Sequence, residues 1–327
     1  VFHRDGKTAT ISVTDHANGI RGIATNGKTD ASLHMDSEAP HAATDESTMV
    51  LLGALPLAYR PNAKIAANIG FGSGQTTHTL LAHPSLALVD SIEIEPVMVE
   101  GAKLFGPLVE RAFQDPRSRI HYDDAKSYFA ASRTKYDIIV SEPSNPWISG
   151  VAGLFSDEFY ARIRGSLRDD GVFVQWVQLY ETDLKVVSSI MWAVNKNFRD
   201  YAIFDVKGSE MLVIATNSSQ PLVMSSDMFS SLAMAAQLRR IGIDGLSDLE
   251  SWRIGSKQSM GAFFESNGAP VNSDYFPYVD QHAAQARFAS TRAMKFAELI
   301  ADKVPAIDIH EASKMTQSRE YLRGRIS

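Results

Sequence analysis

Residues 64–74 read KIAANIGFGSG, an apolar segment that runs directly into a loop with glycine at every second position. The composition of residues 64–69 predicts a short strand, and the residues after the loop, 75–83, predict a helix. A turn this tight requires residues without a Cβ, and it lets the backbone approach a ligand closely. A strand, a glycine loop and a helix in this order favour a ligand-binding βα unit, although such loops also occur for purely structural reasons.

The alternation of strands and helices continues along the chain. Pro96 opens a helix at a position where its missing N–H does no harm. Further strands are predicted over residues 88–94, 119–122, 136–141 and 172–177, and further helices over residues 125–131, 155–167 and 184–195. Strands that alternate with helices pair in parallel through right-handed crossovers and bind ligands at their carboxyl ends. We therefore expect an α/β sheet with its site residues at the ends of strands.

The pattern divides the chain into three predicted domains. Residues 1–46 form a small β-region, in which residues 9–14 alternate as a half-buried strand does and Asn26-Gly27 is a strong hairpin signal. Residues 47–217 form the domain of alternating strands and helices that contains the glycine loop, and residues 218–327 form a C-terminal extension.

Two weaker patterns follow towards the C-terminus. Residues 203–206 and 211–215 predict a closing strand pair joined by Lys207-Gly208. In the extension, helices are predicted over residues 227–241 and 283–303, while the pattern between residues 242 and 269 indicates no particular element.

Composition narrows the functional classes. With 44% hydrophobic and 21% charged residues in 327, the chain is ordinary for a soluble globular protein. The absence of cysteine excludes disulfides, thiolate metal sites and cysteine nucleophiles. No HExxH motif or dense cluster of carboxylates and histidines occurs, and we read His78 and His83 as structural, so no metal is expected. A net charge of −6, from 32 basic and 38 acidic residues, gives no reason to expect a nucleic-acid partner.

No apolar run approaches the roughly 20 residues that cross a bilayer, and the longest one, residues 49–59, is interrupted by Pro56. The sequence begins at Val1 without a methionine and without the plan of a signal peptide. We expect an excised or processed piece of a longer protein, located in the cytoplasm on its own or as the soluble domain of a membrane protein.

Two acidic positions complete a nucleoside site. Glu93 ends the second strand, nineteen residues after Gly74, where a carboxylate accepts hydrogen bonds from both ribose hydroxyls. Asp124 and Ala125 follow the third strand, where an acidic residue meets the adenine amino group in domains of this class; a helix cap is the alternative for Asp124 alone. The glycine loop that begins at Gly70 and the two acidic positions occur in the right order and at the right spacing. Together they predict a bound adenosine-type nucleoside.

NAD is the main competitor for this site. Its loop reads GxGxxG, whereas here the glycines are spaced as GxGxG and Thr77 stands where the dinucleotide pattern has Gly or Ala. This difference favours S-adenosylmethionine or its decarboxylated form, which has no pyrophosphate. The predicted fold class is α/β: a Rossmann-like sheet of the S-adenosylmethionine-dependent transferase type, with helices on both faces, preceded by the small N-terminal β-region.

The run YDIIVSEPSNPW, residues 136–147, resembles the fourth-strand region of spermidine synthases, the polyamine aminopropyltransferases. The resemblance also takes in the glycine loop, Glu93, Asp124-Ala125, Leu55-Pro56-Leu57, Leu154-Phe155, Phe159-Tyr160 and residues 171–175. With NSDYFP at residues 272–277, the chain is most similar to spermidine-synthase-like domains fused to membrane transporter-like segments. This resemblance implies a possible membrane tether upstream and a homodimer built on the N-terminal strands.

In spermidine synthases the fourth-strand loop reads Asp-Ser-Ser-Asp-Pro. Its first Asp helps to deprotonate the amine, and this role falls on Glu142; its second helps to hold the polyamine, and Asn145 stands there without a charge. Ser73 replaces the glycine-loop Asp that holds the aminopropyl amine, and Thr48 and Val50 stand near the family's lead-in Tyr and Glu. The nucleoside half of the site looks intact and the polyamine half rebuilt.

The residue pattern and the resemblance to spermidine synthases together predict which residues bind the donor and the acceptor. The donor would contact Gly70, Gly72, Ser73, Gly74, Glu93, Asp124 and Ala125. The acceptor would contact Asn145, Trp147, Gln178 and Tyr180, although Trp147 is as compatible with a hydrophobic gap filler. Trp176 is better explained as core.

The leading hypothesis is an aminopropyltransferase-like enzyme of polyamine chemistry that uses an amine acceptor other than putrescine, with Glu142 as base. A methyltransferase that uses S-adenosylmethionine is the first alternative, because Asn145-Pro146-Trp147 resembles the Asn-Pro-Pro-aromatic loop of some amino-group methyltransferases. A non-catalytic nucleoside-binding module that regulates an attached membrane segment is the second.

Overall fold

The computed structural model describes residues 1–148, 150–289 and 293. They fall into two compact units. Unit 1 comprises Val1–Ser144, Ser166–Val174 and Val223–Asp244, and unit 2 comprises Asn145–Gly165, Gln175–Leu222 and the described part of residues 245–327. The predicted domain boundaries at residues 46 and 217 stay predictions.

The strands are, in chain order, β1 Phe2–Asp5, β2 Thr10–Asp15, β3 Ile20–Thr25, β4 Lys28–His34, β5 Ile65–Ile69, β6 Leu88–Glu93, β7 Ser118–Tyr122, β8 Tyr136–Ser141, β9 Leu167–Gln178, β10 Asp200–Val206, β11 Glu210–Thr216 and β12 Arg253–Ser256. The helices are α1 Thr44–Tyr59, α2 Gln75–Leu80, α3 Pro96–Ala102, α4 Glu110–Gln114, α5 Ala125–Ala131, α6 Asp157–Ser166, α7 Leu184–Asn197, α8 Leu232–Arg240, α9 Leu246–Ser251, α10 Lys257–Ser266 and α11 Tyr278–Phe288. Short 3₁₀ helices cover Lys103–Val109, Val151–Phe155 and Ser226–Ser230.

The N-terminal β-region of unit 1 is an antiparallel sheet of β1 to β4 in sequential order. Asn26 and Gly27 have positive φ angles of 50° and 83°, which is the backbone that a two-residue hairpin turn requires, so the predicted hairpin is confirmed. One face of this sheet is apolar and packs on α1, α3 and the first 3₁₀ helix. Burial of this face fixes the register of the sheet, because a one-residue slip would expose it.

The main sheet of unit 1 has the order β8-β5-β6-β7, and all its neighbouring strands are parallel. β9 lies next to β8. These strands confirm the predicted α/β fold class. β9 begins at Leu167, five residues before the predicted strand, and α6 correspondingly ends one residue earlier than predicted.

Helix α1 was not predicted. Every residue from Glu46 to Tyr59 is buried, so the helix has no polar face and shows no helical periodicity in the sequence. Pro56, which interrupts the apolar run, lies within the helix. In the part of the chain that the structure describes, neither α1 nor any other helix is long and apolar enough to cross a membrane.

In unit 2 the strand order is β12-β10-β11, followed by the end of β9. β10 and β11 form the predicted antiparallel hairpin, and Lys207 and Gly208 turn with positive φ. α10 and α11 pack against α7.

The two weakly predicted C-terminal helices differ from the structure. The helix predicted over residues 227–241 is a 3₁₀ turn followed by α8, and the two are separated at Ser231, whose side chain caps α8. The helix predicted over residues 283–303 corresponds to α11, which begins at Tyr278, and most of its second half lies outside the described residues.

Candidate nucleoside site

The strands of unit 1 bring the predicted donor residues to one edge of the sheet. Ile69 at the end of β5 is in register with Ile92 of β6 and Ser141 of β8, and Glu93 is in register with Tyr122 of β7. The loops that follow all four strands therefore leave at the same edge. This is the carboxyl edge, where open parallel sheets bind ligands.

The glycine loop connects β5 to α2 at this edge. Gly70, Gly72 and Gly74 have φ angles of 86°, 51° and 88°, a conformation that residues with a Cβ rarely adopt. A Cβ on Gly70 would lie 2.3 Å from the carbonyl oxygen of Glu142, so the two loops approach too closely for any other residue. A Cβ on Gly72 would lie 3.8 Å from the Cβ of Ala31, which leaves space against the backbone for a ligand.

Glu93 is buried and linked to the glycine loop. Its Oε2 accepts a hydrogen bond from the Phe71 N–H at 2.9 Å, and its Oε1 accepts one from the Glu95 N–H at 2.8 Å. Burial raises the pKa of Glu93 to about 7, with the negative charges of Asp30 and Glu95 acting in the same direction against the two backbone bonds. Each oxygen retains acceptor capacity, so the carboxylate can bind two adjacent hydroxyls.

Asp124 caps a helix. Its Oδ1 accepts a hydrogen bond from the Ser127 N–H at 2.9 Å, at the start of α5. Ala125 is the first residue of that helix and is buried. The cap orients Asp124 at the edge where Asp123 N–H donates to the Glu93 carbonyl at 3.1 Å. Its contact with adenine stays a prediction.

Ser73 faces away from the loop surface. Its hydroxyl donates to the Met49 sulfur of α1 at 3.2 Å, and the Gln75 N–H donates to the hydroxyl at 3.4 Å. The side chain is fully buried. Its hydroxyl therefore stabilises the loop from its buried side, and only the backbone of Ser73 can contact a bound donor.

Glu142, the predicted base, follows β8 directly. Its Oε2 accepts a hydrogen bond from the Thr76 hydroxyl at 2.6 Å. Its N–H donates to the Ile69 carbonyl at 2.9 Å. The carboxylate is half-buried, so α2 holds it while solvent can still receive a proton. Thr76 was not predicted; a hydroxyl in the first turn of the helix after the loop was the available signal.

Asp30 is the second residue that the sequence analysis missed. It lies in β4, and its Oδ1 accepts a hydrogen bond from the Ser144 hydroxyl at 3.1 Å, two residues after Glu142. Aspartate is uncommon in strands, and this rarity was the available signal.

The predicted acceptor residues lie in unit 2. The Asn145 side-chain amide donates to Gln178 Oε1 and to the Tyr180 hydroxyl, the latter at 3.4 Å, and the Gln178 amide donates to the Tyr180 carbonyl at 3.0 Å. Trp147 is separate from these hydrogen bonds: the Arg287 guanidinium lies 5.0 Å from its ring centroid. The structure thus brings three of the four residues together as a neutral polar cluster.

His78 and His83 contact neighbouring residues of unit 1: the Arg111 N–H donates to His78 Nδ1 at 3.2 Å, and His83 Nδ1 lies 2.6 Å from the Ser85 hydroxyl. Burial, followed by the neighbouring Arg111 charge, lowers the pKa of His78 to about 4. His78 lines a cleft of about 1090 Å³ beside α2 and α8 that none of the predicted donor residues lines. Within residues 1–148, 150–289 and 293, no group of three or more His, Asp or Glu side chains could hold a metal ion.

Comparison with known proteins identifies the family of this chain. The model of the spermine/spermidine synthase domain matches residues 47–224, more than half of the chain. The chain belongs to this family.

Curated relatives include the polyamine aminopropyltransferases of Agathobacter rectalis, 31% identical over 43% of this chain and 49% of that protein, and of Bacillus subtilis, 32% identical over 37% of this chain and 43% of that protein. That of Moorella thermoacetica is 26% identical over 53% of this chain and 69% of its own length. The chain thus spans about half the length of most curated relatives it matches.

Solved structures confirm the fold. The spermidine synthase of Thermotoga maritima matches with a TM-score of 0.56 at 19% identity, over 74% of this chain and 87% of its own. A probable spermidine synthase of Corynebacterium glutamicum matches with a TM-score of 0.59 at 14% identity, over 84% and 96%.

Proposed function

We propose that this member of the spermine/spermidine synthase domain family is a transferase that moves an aminopropyl group from decarboxylated S-adenosylmethionine to an amine other than putrescine. The observation that carries the proposal is the shared sheet edge in unit 1, where the glycine loop, buried Glu93 and Glu142 lie together. The relatives in this comparison are polyamine aminopropyltransferases, which supports the reaction class.

The reaction requires positioning and one proton transfer. The lone pair of the acceptor nitrogen forms a bond to the propyl carbon next to sulfur, and the carbon–sulfur bond breaks with its electron pair left on sulfur. The positive sulfonium becomes the neutral thioether 5′-methylthioadenosine. The acceptor nitrogen then carries one proton too many, and Glu142 accepts it and passes it to solvent.

The hydrogen bond from Thr76 supports Glu142 in this role. A glutamate side chain has one more rotatable bond than the aspartate of spermidine synthases, so its carboxylate is less fixed by the backbone. The Thr76 hydroxyl, 2.6 Å from Oε2, restricts that freedom and fixes the direction of the carboxylate. Thr76 is therefore proposed as a positioning residue.

The proposed acceptor differs from putrescine because of charge. Asn145 and its partners Gln178 and Tyr180 form a neutral cluster in unit 2. Burying an ammonium group without a partner costs several kcal/mol, which a few neutral hydrogen bonds do not offset. An amine with fewer charges than putrescine would meet this surface at lower cost.

The test is release of methylthioadenosine from decarboxylated S-adenosylmethionine with a panel of amines that spans one to three positive charges. We expect turnover with an amine of low charge and at most poor turnover with putrescine. Glu142→Gln should abolish turnover and preserve nucleoside binding, because it removes the base and keeps the shape.

A matched control is Glu158→Gln. Glu158 is also half-buried and also accepts from a hydroxyl, that of Ser273 at 2.9 Å, but it lies on α6. The control should retain turnover. Efficient turnover of putrescine would refute the altered acceptor, and nucleoside binding without turnover of any amine would refute the transferase.

A further inference from the structure

Asp30 occupies a β-bulge. β3 and β4 pair antiparallel, but Ile23 is opposite Ala31 and the next residue, Ala24, is opposite Thr29, so Asp30 has no partner on β3. Bulges redirect a side chain and occur often beside active sites. Here the bulge brings an acidic residue of the N-terminal sheet to the loop that follows β8, where Ser144 donates to it.

The two oxygens of the Asp30 carboxylate differ in their hydrogen bonding. Its Oδ1 accepts the Ser144 hydrogen bond, whereas its Oδ2 is buried and has no hydrogen-bond partner among the described residues. Buried polar atoms without a partner are rare in native proteins and need an explanation. A ligand that brings a donor or a positive charge to Oδ2 would supply the missing partner.

The charges around Asp30 favour a cation over a neutral donor. Burial raises the pKa of Asp30, against hydrogen bonds from Thr25 and Ser144 and attraction to Lys28. The negative charge of Asp30 in turn acts on Glu93. A hydroxyl would satisfy the buried Oδ2 but would leave the Asp30 and Glu93 carboxylates to repel each other. A cation would satisfy Oδ2 and also reduce that repulsion.

The place of Asp30 selects which cation. It interacts with Glu93, which would hold the ribose, and it contacts Ser144 beside Glu142, the proposed base. In the donor, sulfur is attached directly to the ribose C5′ and to the propyl carbon that reacts. We therefore expect a charge that is near both the ribose carboxylate and the base to meet the sulfonium.

We propose that Asp30 is the counter-charge of the donor's sulfonium, so that the site prefers the charged donor to the neutral thioether product. This inference rests on the proposed function. Transfer of the propyl group removes the positive charge from sulfur, and the product then loses its attraction to Asp30. The same carboxylate would thus help donor to displace product.

The test compares three nucleosides by calorimetry: decarboxylated S-adenosylmethionine, the same molecule without the sulfur methyl group, and methylthioadenosine. The first two differ in the sulfonium charge, and the last two in the ammonium group. In Asp30→Asn, affinity for the sulfonium should fall about tenfold or more, while affinity for both thioethers should stay within about twofold. Asp30→Glu should keep most of the preference.

Asp45→Asn is the matched control. Asp45 is a half-buried carboxylate of unit 1 that also accepts from a serine, Ser32 of β4 at 2.6 Å, and its loss should leave all three affinities unchanged. Retained thioether binding shows that Asp30→Asn is folded.

Three outcomes would overturn the inference. An equal loss for all three nucleosides would make Asp30 a ribose or structural residue, and a loss that follows the ammonium group would move its charge to the propyl tail; both leave the proposed function intact. If the wild-type protein binds none of the three, the proposed function fails and the assignment of Asp30 fails with it.

Discussion

Binding of methylthioadenosine is expected to tighten as the pH rises through about 7, because Glu93, the carboxylate that we propose binds the ribose, is buried. Its pKa is raised to about 7 by burial and by the charges of Asp30 and Glu95, so much of it is protonated below neutral pH. Ribose hydroxyls donate more strongly to the ionised form. Ligand binding therefore favours ionisation and releases a proton below pH 7. Methylthioadenosine is chosen because it carries no charge of its own.

The magnitude follows from the pKa. For a pKa of about 7, the fraction of Glu93 that is ionised rises about thirtyfold between pH 5.5 and 8. If only the ionised form binds well, the affinity rises by the same factor. Glu93→Gln removes the charge and should lower affinity at pH 8 by about 1.5–3 kcal/mol, which is about 10- to 150-fold. The variant should show little pH dependence, so the two proteins should converge near pH 5.5.

Folding stability must change in the opposite direction. Because the folded-state pKa lies above the usual 4.5, the contribution of Glu93 to stability is fully present below about pH 4.5 and is lost as the pH rises through about 7. The free energy of unfolding of the wild-type protein, relative to Glu93→Gln, should therefore fall by about 3 kcal/mol over that interval.

Calorimetric titration in two buffers of different ionisation enthalpy measures both affinity and proton release, and denaturant unfolding at pH 5 and 8 measures stability. Affinity that is independent of pH in the wild-type protein, together with unchanged binding in Glu93→Gln, would refute the role of this carboxylate.

Three further variants test the site. Gly72→Val should abolish nucleoside binding in a folded protein, whereas Gly106→Val, with a similar φ of 56° and open space around it, should retain binding in the same titration. Gly70→Ala should destabilise the fold by about 1–3 kcal/mol through its backbone conformation alone, and by more because its Cβ would clash with the Glu142 carbonyl. Thermal unfolding measures this loss, with Gly106→Ala as the control. Thr76→Val should lower kcat about tenfold with the donor KM unchanged, and Thr76→Ser should restore it; an unchanged kcat would remove Thr76 from the mechanism.

The sequence predicted those elements whose pattern is local. Tyr136–Ser141 and Ala125–Ala131 have the predicted bounds, because an apolar run and a capping Asp124 mark them clearly. Helix α1 escaped prediction, since burial on all sides removes the periodicity that marks a surface helix. The first half of β9 escaped as well, because Arg168, Asp169 and Asp170 are exposed there and resemble a loop.

The site shows the same limit. Glu93 ends a strand at a characteristic spacing from the glycine loop, and Glu142 directly follows a strand whose sequence resembles that of spermidine synthases, so their positions at the shared edge could be predicted. Asp30 and Thr76 could not, because each acts through a contact distant in sequence: Asp30 with Ser144, and Thr76 with Glu142. A bulge in β4 and the first turn of α2 create these contacts, and neither is visible in residue spacing.

We propose that the carboxyl edge of the unit 1 sheet binds an adenosine nucleoside with a cationic sulfur. Calorimetric titration of the wild-type protein with S-adenosylmethionine, its decarboxylated form and methylthioadenosine tests it most directly. We predict that the decarboxylated sulfonium and methylthioadenosine both bind, the sulfonium more tightly, and that Glu93→Gln weakens both at pH 8. Absence of binding by all three nucleosides, or binding that Glu93→Gln leaves unchanged, would contradict the claim.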